Sequence, residues 1–121
     1  MALFASADTA KNIESASDYA YVTAETRLPL NKSLSCNCVL FAKDYLGITE
    51  TLGIAKYIKP DSQVGSIYSL VLLNEGSLGH VGVVLDVDKD EIWIVEANRK
   101  SCTISYRTLG INDPVIRGYK L

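Results

Sequence analysis

Apolar and polar positions change rhythm partway along the chain. From Ala7 to about Glu25 the residues are good helix formers, and Ala10, Ile13, Ala16 or Ala20 and Val22 recur at a loose helical spacing. A helix is expected there, capped by Ser6 or Asp8. "RLPLNKSLS" then reads as a loop. Cys38 to Leu46 fits a short amphipathic helix, with Cys38, Ala42 and Tyr45 on one stripe and Val39 and Leu46 on the next. Asn37 or Ser35 can cap its start, and Gly47 suits the left-handed residue that ends a helix. Another helical turn or two is expected between Thr49 and Ile58, ended by Pro60.

Beyond Pro60 the period becomes two. Ile67 to Leu73 reads as a strand, followed by a loop at "NEGSLG". Val81, Val83, Leu85 and Val87 alternate with Gly82, Val84 and Asp86; after "DKDE", Ile92, Ile94, Glu96 and Asn98 alternate with Trp93, Val95 and Ala97. Cys102 to Arg107 and Val115 to Lys120 complete the set of strands. Helices followed by an antiparallel sheet predict an α+β fold with N-terminal helices packed on the sheet.

Composition narrows the class. A chain of 121 residues, 48% hydrophobic and 21% charged, is expected to form one globular domain over 1–121. The net charge of −2 and the scattered Lys and Arg argue against a nucleic-acid surface. "MALFASADTAKN" has neither a positive leader nor a long apolar run, so no export signal is read there, and no stretch is long enough for membrane insertion. Three cysteines, two of them in "CNC", do not look like a disulfide framework. Free thiols and synthesis in a reducing cytoplasm are expected.

Those thiols change the picture once the single histidine is considered. His80 heads the Val81–Val87 strand, Glu96 and Asn98 share one face at the end of the next, and Cys38 opens a helix. A thiol, an imidazole and a polar group to orient it are the parts of a cysteine-nucleophile site. At a helix start the thiolate is favoured by unpaired backbone N–H groups, which can also hold an oxyanion. The register between the two strands decides whether the parts meet. A two-residue loop at Lys89–Asp90 pairs Val83 with Glu96 and sends His80 to the opposite face. A three-residue loop at Asp88–Asp90 pairs His80 with Asn98 and puts His80 and Glu96 on one face. "DKDE" has no glycine for a primed two-residue turn, which favours the second; a bulge can also reset the register.

"CVLFAK", "GHVGVVLDV" and "IWIVEAN" resemble, in order and spacing, the three signatures of the CHAP family (cysteine, histidine-dependent amidohydrolases/peptidases), within the NlpC-type, papain-like cell-wall hydrolases. "VGSIYSLVLL" resembles the strand before the histidine and "VIRGYKL" the closing strand, so the match runs from about Cys36 to Leu121. Two departures stand out: "SQVGSI" lacks the family's Pro-Gly-Asp run, and Asn37 stands where a Gln is frequent. The resemblance implies a papain-like α+β fold in which Cys38 is the nucleophile, His80 the base and Glu96 the residue orienting it, with Asn98 a fourth polar member. It further implies cleavage of an amide bond in peptidoglycan, as an endopeptidase or N-acetylmuramoyl-L-alanine amidase, without cofactor or metal. A phage lysin, a virion component or a protein delivered by a secretion machine would act this way, made in the cytoplasm and working at the cell wall after release.

Other readings stand beside this one. Cys36 can be a packing residue of the loop or a resolving thiol for Cys38 in a redox protein, and Cys102 reads as core. Cys36, Cys38, His80 and Cys102 could form a tetrahedral zinc site, but C-x-C with two distant single ligands is unlike paired-knuckle spacing and leaves Glu96 and Asn98 without a role. A catalytically silent structural or binding protein of a phage particle is the third.

Overall fold

The computed structural model describes residues 32–121. A 3-10 turn, Lys32–Cys36, leads through Asn37 into helix α1, Cys38–Leu46. The oxygen of the Asn37 side chain accepts from the N–H groups of Val39 and Leu40, both at 3.0 Å, which caps the helix. Gly47 ends it with φ 71°; its N–H donates to the Asp44 carbonyl and that of Ile48 to Lys43, the paired bonds of a Schellman stop. A helix of nine residues does not hold by itself in water. Burial of Val39 and Phe41, at about 1.5–3 kcal/mol each, keeps it on the sheet.

Five strands follow: β1 Leu70–Leu73, β2 His80–Val87, β3 Glu91–Ala97, β4 Ile104–Gly110 and β5 Ile116–Lys120. They form one antiparallel sheet in the order β4-β3-β2-β1-β5, so β2 is central. On one face Val39, Phe41 and Ala42 of α1 meet Leu70, Leu72, Val81, Val83, Leu85, Val95 and Ala97. The other face buries Val71, Leu73, Val84, Ile92, Ile94 and Tyr119. Strand β2 is apolar on both faces, which explains the near-continuous run "VGVVL" where a half-exposed strand would alternate.

This architecture overturns the expected α+β, papain-like fold with N-terminal helices packed on the sheet. The described chain is mostly antiparallel sheet, and α1 is the one α-helix in it. The helix expected over Ala7–Glu25 lies outside the described residues. The order of "CVLFAK", "GHVGVVLDV" and "IWIVEAN" specifies that α1, β2 and β3 are neighbours; it says nothing about how many helical layers cover the sheet. The expected turn between Thr49 and Ile58 is present as a short 3-10 segment, Ala55–Tyr57. No helix among the described residues is long and apolar enough to cross a membrane.

The β2–β3 turn also departs from expectation, in an instructive way. It is the tight one: Asp88 N–H donates to the Glu91 carbonyl at 3.0 Å, and Asp88 Oδ1 accepts from the N–H groups of Asp90 and Glu91 at 2.8 Å. An aspartate side chain thus closes the loop without glycine. Near the turn Val87 pairs with Ile92 and Asp86 with Trp93, the register that would separate His80 from Glu96. A bulge between Val84 and Asp86 then shifts the pairing by one, to Val84 with Ile94 and Val83 with Val95. From there to the strand end His80 and Glu96 lie on the same face.

The cysteines pair across the fold. Cys36, at the end of the first 3-10 turn, is disulfide-bonded to Cys102 in the β3–β4 turn, 66 residues on, and Cys38 is the free thiol. This corrects the expectation of three free thiols, and Cys102 is exposed where a core position was expected. The turn that presents Cys102 is braced by Asn98: its Oδ1 accepts from the Cys102 N–H at 2.9 Å, and its own N–H donates to the Thr103 carbonyl.

Candidate active site

Cys38 is the first residue of α1 and half-buried; His80 is the first residue of β2 and 6% exposed; Glu96 is the penultimate residue of β3 and 0% exposed. The structure brings these three together. Nε2 of His80 lies 2.8 Å from Oε1 of Glu96, and the thiol of Cys38 hydrogen-bonds the same imidazole. With Nε2 engaged by Glu96, Nδ1 is the ring nitrogen left for sulfur. Gly79 makes this approach possible: its φ of 73° and missing side chain let the Lys56 backbone come within 2.7 Å of where a Cβ would stand, so Lys56 N–H reaches the Leu78 carbonyl and pins the loop that delivers His80.

Asn98 is not part of this group. It follows Glu96 by two residues, but the strand has ended by then; φ 64° turns its backbone, and its side chain serves the Cys102 turn. Glu96 is therefore the residue that holds the imidazole, and Asn98 holds the disulfide turn.

Two residues that the sequence reading did not single out complete the site. Arg107 on β4 pairs with Ile94, diagonal to Glu96 and within reach of a long side chain. Its Nε lies 2.8 Å from Glu96 Oε2 and its Nη2 3.0 Å from Oε1. The same guanidinium donates to Glu75 in the β1–β2 loop, Nη1 to Oε2 at 3.0 Å and Nη2 to Oε1 at 2.5 Å. The signal that could have found Arg107 is electrostatic: a carboxylate on an interior strand needs a cation nearby, and only one histidine is available.

The charges follow from these contacts. For His80, burial works against the cation, but the hydrogen bonds to Cys38 and Glu96 outweigh it and push the imidazole up to about 9. Burial likewise raises the Cys38 thiol, yet the bond to His80 and the backbone N–H of Val81 bring it below its ordinary value. Both shifts favour the thiolate–imidazolium pair over the neutral thiol and imidazole. Alkylation of Cys38 by iodoacetamide is expected to stay fast below the pH range of an ordinary thiol and to slow only as the sulfur takes up its proton. Above about pH 9 the imidazolium is lost and a second step in rate is expected. A single inflection at the ordinary thiol value would mean that the two groups do not interact.

Glu75, His80 and Glu96 present donor atoms within 4.8 Å of one another, a spacing that a metal ion could bridge. Arg107 already spans the two carboxylates, and a cation would have to expel it. The guanidinium is the better fit to this group. A scan against protein-family models and searches of curated proteins and of solved structures found no match for this chain.

Proposed function

We propose that the protein is a thiol-dependent hydrolase of amide bonds, with Cys38 as nucleophile, His80 as proton carrier and Glu96 as the group that orients His80. The observation that carries this reading is the chain of contacts from a thiol at a helix start, through one buried imidazole, to a fully buried carboxylate. A structural cysteine needs no such partners, and packing alone would favour apolar neighbours over two buried ionisable groups.

The thiolate attacks the carbonyl carbon and the C=O electrons move to oxygen. The N–H groups of Val39 and Leu40 are held by the Asn37 cap, so the donor at the helix start that the cap does not engage is the N–H of Cys38 itself. The intermediate collapses as His80 gives its proton to the leaving nitrogen, forming a thioester and a free amine. Water then attacks the thioester, His80 takes its proton, and the acid leaves while thiolate and imidazolium are restored. Both charged partners are needed, so the rate falls on the acid side with Cys38 and on the alkaline side near pH 9 with His80.

Peptidoglycan as substrate, cut as an endopeptidase or amidase would cut it, is proposed on the CHAP-like motifs alone. So is a setting at the cell wall after release, as a phage lysin, virion part or delivered protein. The Cys36–Cys102 bridge supports work outside a reducing cytoplasm. It also takes Cys36 away from Cys38, which weakens the redox reading that needs those two thiols. The test is incubation of the purified protein with cell-wall sacculi, followed by mass analysis of released fragments. New free amines and carboxyls at peptide or lactyl-alanine bonds are expected; inert wild-type protein would favour a structural or binding role.

A further inference from the structure

We propose that Arg107, held in place by Glu75, is a positioning residue that sets the charge state of the Cys38–His80 pair through Glu96, an inference that rests on the hydrolase reading for its consequence in turnover but not for its detection. Oε1 of Glu96 accepts from Arg107 Nη2 and meets His80 Nε2, while Oε2 lies 2.8 Å from Arg107 Nε in an ion-pair contact that lacks hydrogen-bond geometry. Full burial and the Arg107 cation at its side hold this carboxylate against the imidazole. Glu75 grips the outer edge of the same guanidinium with two bonds, so the planar fork is fixed from both sides.

The groups facing His80 are Cys38 from α1, Glu96 from β3 and Glu75 from the β1–β2 loop, whose carboxylate reaches within 4.8 Å of the ring; Arg107 from β4 bonds both carboxylates, and Arg99 acts on Glu75 from the β3–β4 turn. With the thiol ionised, the chain Cys38, His80, Glu96, Arg107, Glu75 alternates anion and cation. Removing the Arg107 charge leaves three anions facing one imidazolium. The cluster then binds a proton more readily, and the site that takes it is sulfur, because an ordinary thiol holds its proton far more tightly than a carboxylate does. Removing the Glu75 charge works in the opposite direction and leaves the thiolate better compensated.

Opposite signs are what a purely structural role cannot produce. The experiment is the pH midpoint of Cys38 alkylation in the full-length oxidised protein and in Arg107→Gln, Arg107→Lys and Glu75→Gln, each with its urea unfolding midpoint. Arg107→Gln is expected to raise the alkylation midpoint by about one pH unit, a charge removed at some distance in a partly buried site. Arg107→Lys returns most of that shift, and Glu75→Gln moves the midpoint down. If Arg107 and Glu75 serve stability alone, every variant unfolds earlier while the folded protein keeps the wild-type alkylation midpoint. That result overturns the proposal, as does a shift of Arg107→Gln and Glu75→Gln in the same direction. Should Arg107→Gln fail to fold, Glu75→Gln decides: an unchanged or raised midpoint ends the idea. Wild-type protein that shows these shifts yet cleaves no amide would remove the hydrolase reading and leave this one standing.

Discussion

Cys38→Ala is expected to abolish amide cleavage, a loss on the order of 10⁴-fold or more, while the protein stays folded. The fold should survive because Cys38 is half-buried, alanine is the best helix former, and the Asn37 cap and the Gly47 stop are untouched. Without sulfur there is no atom to form the thioester, and the buried imidazole has nothing to activate. His80→Ala is expected to cost nearly as much, since a nucleophile and its proton carrier act as one unit; the double variant should be little worse than either single one. Turnover on sacculi with the urea midpoint beside it checks both parts. Wild-type rates from a folded Cys38→Ala protein would end the proposed chemistry.

Opening the Cys36–Cys102 bridge should have the largest effect on stability. The bond closes a loop across a separation of 66 residues. Loop-closure entropy on that scale amounts to about 4 kcal/mol. Set against a total of about 5–15 kcal/mol for a domain, that is a large share. The bridge also ties the segment leading into Cys38 to the turn that follows Glu96, so it holds the two halves of the site together. The double variant Cys36→Ser/Cys102→Ser, which avoids mispairing with Cys38, is expected to unfold at much lower urea than wild type. Thiol titration of the denatured, unreduced protein should find one free sulfur among the three cysteines. Three would show that the bridge does not form. Assays with strong reductant, the habit for thiol enzymes, should give lower activity as the protein loosens.

Much of the site was legible because its parts carry local signatures. Asn37 and Gly47 mark both ends of α1, so the place of Cys38 at a helix start could be read directly. The single histidine leaves one candidate for a base. In an extended strand Glu96 and Asn98 share one face, which groups them as candidates for holding the ring; the positive φ at Asn98 turns its backbone out of that strand. Positions where a strand stops are weakly marked in sequence, and polar residues at such points serve turns as readily as sites. Arg107 and Glu75 escaped for a different reason: they act across neighbouring chain segments, Arg107 eleven residues from Glu96 and Glu75 thirty-two residues from Arg107.

What the chain determines by itself are the positions of α1 and of the five strands near their observed limits, and the trio Cys38, His80 and Glu96 as candidates. Side-chain periodicity and caps are properties of a few adjacent residues, so they can be read without knowing what lies across the sheet. Only the tertiary structure decides that the sheet dominates, that Cys36 joins Cys102, and that Arg107 and Glu75 stand behind Glu96. It alone decides the strand register. A tight turn at Asp88–Glu91 and a bulge at Val84–Asp86 are each a shift of one residue, and each reverses which face a side chain takes. Such pairings are settled by the packing of both faces at once, and no alternating run of residues contains that information.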